Sequence, residues 1–334
     1  MSMNNVPMID ISARQKGTEP ERDSIASAVD ETCITGGFLL VSGHAVPADL
    51  IDPMYAITYD FFGCSEQDKR LCDADGRKGG HGYFSLDTKS LACAGGDINA
   101  PGDQNKSLLA GAEPVDNDPY YLTPGAQGHF ADNVWPSQTA DIHSVWFVWS
   151  EYRQACQTVS DVVLSIFARS LGMSDNWLES RIYKPISALV SHHYPEQQGP
   201  PDTGAIRSGA HIAFGSLTLL ITENRSGGLQ VMGLDEAWYD IVPLPGAFIV
   251  NISDLMARWT NDTRRSTLYR VVNTHVDSGE AARRSSIPYF HTPNYDAELS
   301  VMETFLSSCR VANFAPVLAG EHHKEKLPVR MALK

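Results

Sequence analysis

The apolar positions of this chain fall into two textures. Between 141 and 171, Trp149, Tyr152, Cys156, Val159, Val163 and Ile166 advance by three or four residues. That is the spacing of one buried helical face, and Gly172 ends the run. From Ile186 onward the pattern changes to short apolar pieces separated by turn residues such as Gly227-Gly228 and Pro243-Leu244-Pro245-Gly246. These predict strands at 187–194, 217–222, 229–231, 238–241, 247–252, 267–275 and 285–290, a series suited to a β-sandwich or barrel. Nearer the N-terminus, 6–11 reads as an opening strand and 22–35 as a helix stopped by Gly36-Gly37. Phe38-Leu39-Leu40-Val41 then reads as a buried strand. Residues 77–136 are rich in Gly, Asp, Asn and Pro with little periodicity, which predicts long surface loops. A helical tail is expected at 301–308, and no internal repeat or low-complexity tract is visible.

Composition narrows the class. With 334 residues, 43% hydrophobic and 20% charged, the chain can bury a sizeable core. Its 26 basic and 40 acidic side chains give a net charge of −14 without any Lys/Arg block. That balance argues against a nucleic-acid polymer or an anionic membrane surface as partner. Met1-Ser2-Met3-Asn4-Asn5 is not a basic start before an apolar stretch, so no signal peptide is expected. Nor does any apolar run reach the length of a membrane span. Cys33, Cys64, Cys72, Cys93, Cys156 and Cys309 are scattered without a C-x-x-C pair, which reads as reduced thiols in a cytoplasm rather than a zinc site. The absence of a nucleophile elbow, phosphate loop or dinucleotide fingerprint speaks against hydrolase, kinase and dehydrogenase functions.

Three short strands place polar groups on one face at period two: His192 with Tyr194, His211 with Ala213, and Arg284 with Ser286. Taken singly, each is equally well a strand with polar outward positions. Their order and surroundings carry more. His211-Ile212-Ala213-Phe214-Gly215-Ser216-Leu217-Thr218-Leu219-Leu220 resembles the His-x-Asp-x-Gly-Ser-Leu-Thr-Leu-Leu stretch of iron(II)/2-oxoglutarate oxygenases of the isopenicillin-N-synthase-like group. Further similar stretches follow in the same order: Gly228-Leu229-Gln230-Val231, Pro245-Gly246-Ala247-Phe248, Arg265-Ser266-Thr267-Leu268-Tyr269-Arg270-Val271 and Arg284-Ser285-Ser286-Ile287-Pro288. Upstream, Gly43-His44-Ala45-Val46-Pro47, Gly82-Tyr83-Phe84 and Trp135-Pro136 also resemble that family. The resemblance implies a mainly β fold with flanking helices (α+β) and a double-stranded β-helix (jelly-roll) core. On that reading 1–180 form a helical and loop region, 181–300 the core and 301–334 a helical tail, all one structural unit.

The resemblance also implies a site. Tyr194, Arg284 and Ser286 match residues that hold the distal carboxylate of 2-oxoglutarate, a task for which a planar guanidinium and hydroxyls are well shaped. The family's iron is held by two His and one carboxylate, with three positions left open. Here only His211 of the three is present: Ala213 stands at the carboxylate position and Tyr269 at that of the second His. An Ala in place of the carboxylate resembles the superfamily's halogenases, where chloride takes the vacated position, but those enzymes keep both His. His192 is the candidate replacement nitrogen and the Tyr269 phenolate the candidate replacement oxygen; the competing reading of His192 is a hydrogen-bonded core imidazole. His193 should face away from His192, and His275 lies too far along its strand. Asp254 matches a structural turn, Trp259 and Tyr289 suit core or cavity wall, and His322-His323 suit a solvated tail. The implied function is oxidative tailoring of a small-molecule metabolite, by hydroxylation, desaturation or cyclisation, using Fe(II), 2-oxoglutarate and molecular oxygen. The alternatives are a halogenase that uses chloride, and a non-oxidative enzyme or binding protein that kept the fold and lost the iron. Substrate choice falls to loops such as 82–107, where Asp103, Asn105 and Lys106 suit polar contact or solvent equally well.

Overall fold

The computed structural model describes residues 6–86, 88, 102–136, 142–196, 206–223, 228–273 and 283–330. Its principal strands, in chain order, are β1 (Met8–Asp10), β2 (Phe38–Ser42), β3 (Gly82–Phe84), β4 (Lys106–Ala110), β5 (Ala188–Tyr194) and β6 (Ser208–His211). They continue with β7 (Leu217–Thr222), β8 (Leu229–Met232), β9 (Trp238–Asp240), β10 (Phe248–Ile252), β11 (Tyr269–Val271) and β12 (Arg284–His291). An eight-stranded sheet runs β1-β2-β10-β7-β12-β5-β4-β3, and a four-stranded sheet runs β6-β11-β8-β9.

The run Phe38-Leu39-Leu40-Val41 shows how these sheets are layered. Phe38 and Leu40 pack with Ile249 and Tyr194 against Leu229, Val231 and Val271 of the small sheet. Leu39 and Val41 turn the other way, with Phe248 and Val250, into a second core shared with the helices. Successive side chains of a strand point to opposite faces, so a strand covered on both sides reads as an unbroken apolar run. The architecture is the expected double-stranded β-helix with helices on the outer face of its large sheet.

Helix α1 (Glu19–Thr35) opens with a capping box between Thr18 and Glu21 and closes at Gly36. Gly37, at φ +67°, then turns the chain into β2; a Cβ there would meet the Arg265 carbonyl oxygen at 2.5 Å. Helix α2 (Ala48–Gly63) buries Ile51, Met54, Thr58, Phe61 and Phe62, although Pro53 lies inside it. Helix α3 (Ile142–Ser170) buries the predicted face of Trp149, Tyr152, Cys156, Val159, Val163 and Ile166, and packs on α1 and α2. Each such side chain contributes roughly 1.5–3 kcal/mol on leaving water.

Two expectations fail. Residues 77–136 are not all surface loop, because β3 and β4 extend the large sheet beyond β5 through antiparallel pairing. Their sequence hides this: the strands are short, and Gly and Asp surround them. The helix expected at 301–308 is only a turn at Glu303–Phe305, because Val301 and Met302 are drawn into the core and the Met302 amide bonds the Trp259 carbonyl at 2.9 Å. The helix lies farther on, as Ala319–Arg330. Trp259 and Tyr289 are core residues, at 1% and 0% exposure. Among the described residues no helix is long and apolar enough to cross a membrane.

The segment after His211 depends on one glycine. Gly215 has φ +113°, and a Cβ would meet the His291 carbonyl oxygen at 2.4 Å. That close approach lets Ser216 bond His291 twice, through its amide at 2.9 Å and through its hydroxyl to Nδ1 at 2.5 Å. His291 is fully buried, and burial lowers its pKa from 6.5 to about 3. The unfolded chain therefore takes up a proton that the folded one refuses. Stability should be full above about pH 6.5 and fall toward pH 3, by about 1.4 kcal/mol per pH unit from this group. Urea unfolding at pH 7.5 and pH 5.5 checks the sign, and His291→Gln should flatten the acid limb.

Candidate functional site

Antiparallel pairing assembles one row of polar side chains. Arg284 lies opposite Tyr194, Ser286 opposite His192, and on the flanking strands Ser107 opposite His192 and Thr222 opposite Ser286. Directly opposed residues share a face, and Tyr194 lies in the core between the sheets, so this row faces the small sheet. The Arg284 guanidinium lies 5.0 Å from the Tyr194 ring centroid and donates to the Thr222 hydroxyl at 3.3 Å. Burial pushes the Tyr194 phenol above its ordinary pKa, against the pull of Arg284 and a hydrogen bond with Ser286. His193 points away, stacked on Phe62 at 5.0 Å, and burial takes its pKa down to about 4.

His211 sits on the small sheet directly opposite Tyr269, with their rings 4.2 Å apart. Phe38 meets Tyr269 edge-on at 5.8 Å, so the phenol is aimed between the sheets. The His211 Nδ1 lies 2.6 Å from the Gly209 carbonyl oxygen. A carbonyl can only accept, so Nδ1 carries the proton and Nε2 the lone pair, the preparation a metal-binding imidazole requires. His211, Tyr269 and Ala213 line a cavity of about 860 Å³, open mouth included, whose walls also contain Ile186, Ala188 and Phe290. The Tyr194, Arg284, Ser286 and His192 group is not among these walls; it lies farther along β5 and β12.

A buried relay connects the two groups. Ser107 donates to Asn105 Oδ1 at 3.0 Å, and Asn105 Nδ2 donates to the Arg207 carbonyl at 2.8 Å, just ahead of β6. With its one proton spent, the Ser107 hydroxyl accepts from His192 Nδ1 at 2.8 Å, which leaves the lone pair of His192 on Nε2 as well. Asp103 accepts from the Gly209 amide at 2.9 Å. Asp103 and Asn105, at 0% and 1% exposure, are thus structural contacts rather than solvent-facing residues. The tail also departs from expectation. His322 bonds Asp254 Oδ2 at 2.7 Å, Asp254 Oδ1 accepts from the Gly215 amide at 3.2 Å, and His323 lines the cavity. His81 and His129 line it too, both unremarked in a segment read as loop. His129 is buried with no hydrogen-bond partner on either ring nitrogen among the described residues, and burial lowers its pKa to about 4. Only its place on the cavity wall marks it; no spacing in the sequence does. Cys93 and His275 lie outside the described residues.

Two family profiles match the chain. The 2OG-Fe(II) oxygenase superfamily profile matches residues 185–293, and that of the non-haem dioxygenase in morphine synthesis N-terminal matches residues 6–138. The chain belongs to the 2OG-Fe(II) oxygenase superfamily. This superfamily member is 28% identical over 292 residues to the 2-oxoglutarate-Fe(II) type oxidoreductase hxnY of Emericella nidulans, covering 87% of this chain and 80% of that one. It is 27% identical over 337 residues to a homoarginine-6-hydroxylase of Glycine max, covering 96% and 95%. The crystal structure of a full-length Neurospora crassa protein in complex with alpha-KG superposes with a TM-score of 0.83 at 24% identity, over 98% of this chain and 97% of that one.

As a 2OG-Fe(II) oxygenase the protein is an oxidoreductase that draws on 2-oxoglutarate and Fe(II). Its residues suit the two unequally. The half-buried guanidinium of Arg284 and the buried phenol and hydroxyl of Tyr194 and Ser286 fit a carboxylate. For iron, His211 is prepared, Tyr269 is beside it and Ala213 offers no donor. Among the described residues no group of three His, Cys, Asp or Glu is placed to hold a metal.

Asn105→Ala should remove the bonds that Asn105 makes to the Arg207 carbonyl and to the Ser107 hydroxyl at once. A loss of about 1–3 kcal/mol in urea unfolding is expected; a variant as stable as the wild type would show the relay to be dispensable.

Proposed function

We propose that this superfamily member tailors a small-molecule metabolite by C–H hydroxylation, desaturation or cyclisation. Its co-substrates on this reading are 2-oxoglutarate and molecular oxygen, and its altered iron-ligand set is His211, Tyr269 and His192. The observation that carries the reading is the direct pairing of His211 with Tyr269 on the cavity wall. It gains support from the common state of the two imidazoles, each with Nδ1 committed to an oxygen and its lone pair on Nε2. Bound iron would supply the activation of oxygen; the chain supplies the rest. Arg284, Tyr194 and Ser286 hold the distal carboxylate of 2-oxoglutarate and so set its direction. Ile186, Ala188 and Phe290 keep the reacting end apolar and poor in water. Neutral His129 offers the substrate one donor and one acceptor. A cytoplasmic setting fits the five described cysteines, all free thiols.

With Fe(II), oxygen and 2-oxoglutarate the protein should form succinate; none at all would sink the oxidative reading in favour of a fold that lost its iron. Iron content should fall at least about tenfold in both His192→Ala and Tyr269→Phe, and unchanged binding in both removes the altered ligand set. Tyr269→His should bind iron more tightly than the wild type.

Ala213 favours one second reading. Its methyl group lines the same cavity as His211 and brings no donor atom to the position where a carboxylate would stand. A halide there would turn the outcome toward halogenation. Turnover with and without chloride, read by product mass, separates the two: a chlorinated product that needs chloride supports the halogenase, and a chloride-independent product excludes it.

A further inference from the structure

Arg207 precedes β6 and is 2% exposed. Nε donates to the Asn273 amide oxygen at 3.1 Å and Nη2 to the Pro195 carbonyl at 3.4 Å, both neutral partners. Nη1 is buried without any hydrogen-bond partner among the described residues. The guanidinium carbon lies 5.8 Å from the Tyr194 ring centroid, and Arg284 lies 5.0 Å from the same centroid. Two guanidinium groups, one from each sheet, therefore share a single phenol. Burial, then the charge of Arg284, pulls the Arg207 pKa below its ordinary value, yet an arginine does not give up its proton. Asp103 lies within electrostatic range of the same phenol and cancels at most one of the two charges. A buried cation with an unused donor is costly unless an anion completes it.

We propose that Arg207 is a second cationic contact for the carboxylate held by Tyr194, Arg284 and Ser286, so that the dicarboxylate co-substrate is gripped from both sheets. This rests on the reading of those three residues as the 2-oxoglutarate anchor. Arg284 presents its fork from the large sheet, and Arg207 Nη1 closes from the small sheet. The relay that ends on the Arg207 carbonyl fixes the backbone from which that guanidinium extends. A grip of this kind is independent of the metal. The chain should accordingly bind 2-oxoglutarate, and glutarate, which lacks the 2-oxo group, without iron. It should bind 2-oxobutyrate, which lacks the distal carboxylate, far more weakly.

Calorimetric titration of the full-length, EDTA-treated protein tests this with those three ligands. Arg207→Gln should weaken 2-oxoglutarate and glutarate by about 10- to 100-fold and leave 2-oxobutyrate unchanged. Arg207→Lys, which keeps the charge, should recover part of the loss. The ligand-free melting temperature of Arg207→Gln should equal or exceed that of the wild type, because an uncompensated charge has been removed, while its rise on adding 2-oxoglutarate should shrink. Wild-type affinity in Arg207→Gln, or a loss shared equally by 2-oxobutyrate, overturns the proposal. Arg284→Gln separates the two levels. If it abolishes binding while Arg207→Gln is silent, only the role of Arg207 falls; if both are silent, the anchor itself is elsewhere.

Discussion

Three hydrogen bonds between residues 103–105 and 206–209 hold the two sheets in register. The Gln104 amide bonds the Ile206 carbonyl at 3.3 Å, Asn105 Nδ2 the Arg207 carbonyl at 2.8 Å, and the Gly209 amide Asp103 Oδ1 at 2.9 Å. Pairing within a sheet fixes neighbouring strands, but apolar contact between sheets is non-directional and tolerates sliding. A buried polar seam does not, since each displaced group would be left unsatisfied away from water. The same seam orients both imidazoles. One end continues through Ser107 to His192, and the other reaches Gly209, whose carbonyl holds His211.

Charge is distributed against the trend of the molecule. The chain as a whole carries −14, yet the space around Tyr194 is bordered by two guanidinium groups. An anionic surface repels small anions in general, so the interior must supply local attraction strong enough to overcome it, and burial strengthens such attraction by excluding water. The cavity beside His211 differs in character. Its histidines are desolvated, with His129 and His81 pulled below the ordinary imidazole range chiefly by burial, so they act as neutral hydrogen-bonding groups. The space around Tyr194 is thus cationic, while the buried histidines of the cavity act through hydrogen bonds rather than charge.

The backbone that carries Ala213 and Tyr269 is held by local contacts. Ala213 keeps the backbone of its position, with its carbonyl accepting from the Asp254 amide at 3.1 Å, while Gly215 retains the left-handed turn that this stretch requires. Tyr269 keeps its pairing with His211 and packs on Phe38. Main-chain bonds and interlayer packing set the backbones that carry Ala213 and Tyr269.

What the residues alone determined is whatever depends on neighbours along the chain. The helical face of α3, the glycine stop before β2 and the period-two pairs His192/Tyr194 and Arg284/Ser286 are local patterns; the strand spacing indicated a β-sandwich or barrel, and the resemblance to the oxygenase family narrowed it to the jelly roll. Tertiary structure decided what depends on partners distant in sequence. Asp103 and Asn105 look like loop residues until β4 docks beside β5, and Arg207 looks like any surface arginine until Tyr194 and Asn273 close over it. His322 looks solvated until Asp254 meets it, and the helix expected at 301–308 gives way to a turn at Glu303–Phe305 as Val301 and Met302 enter the core. Burial and opposite-sheet contact are properties of the folded whole: the free energy of a polar group depends on who stands across from it, and a linear sequence does not specify that neighbour.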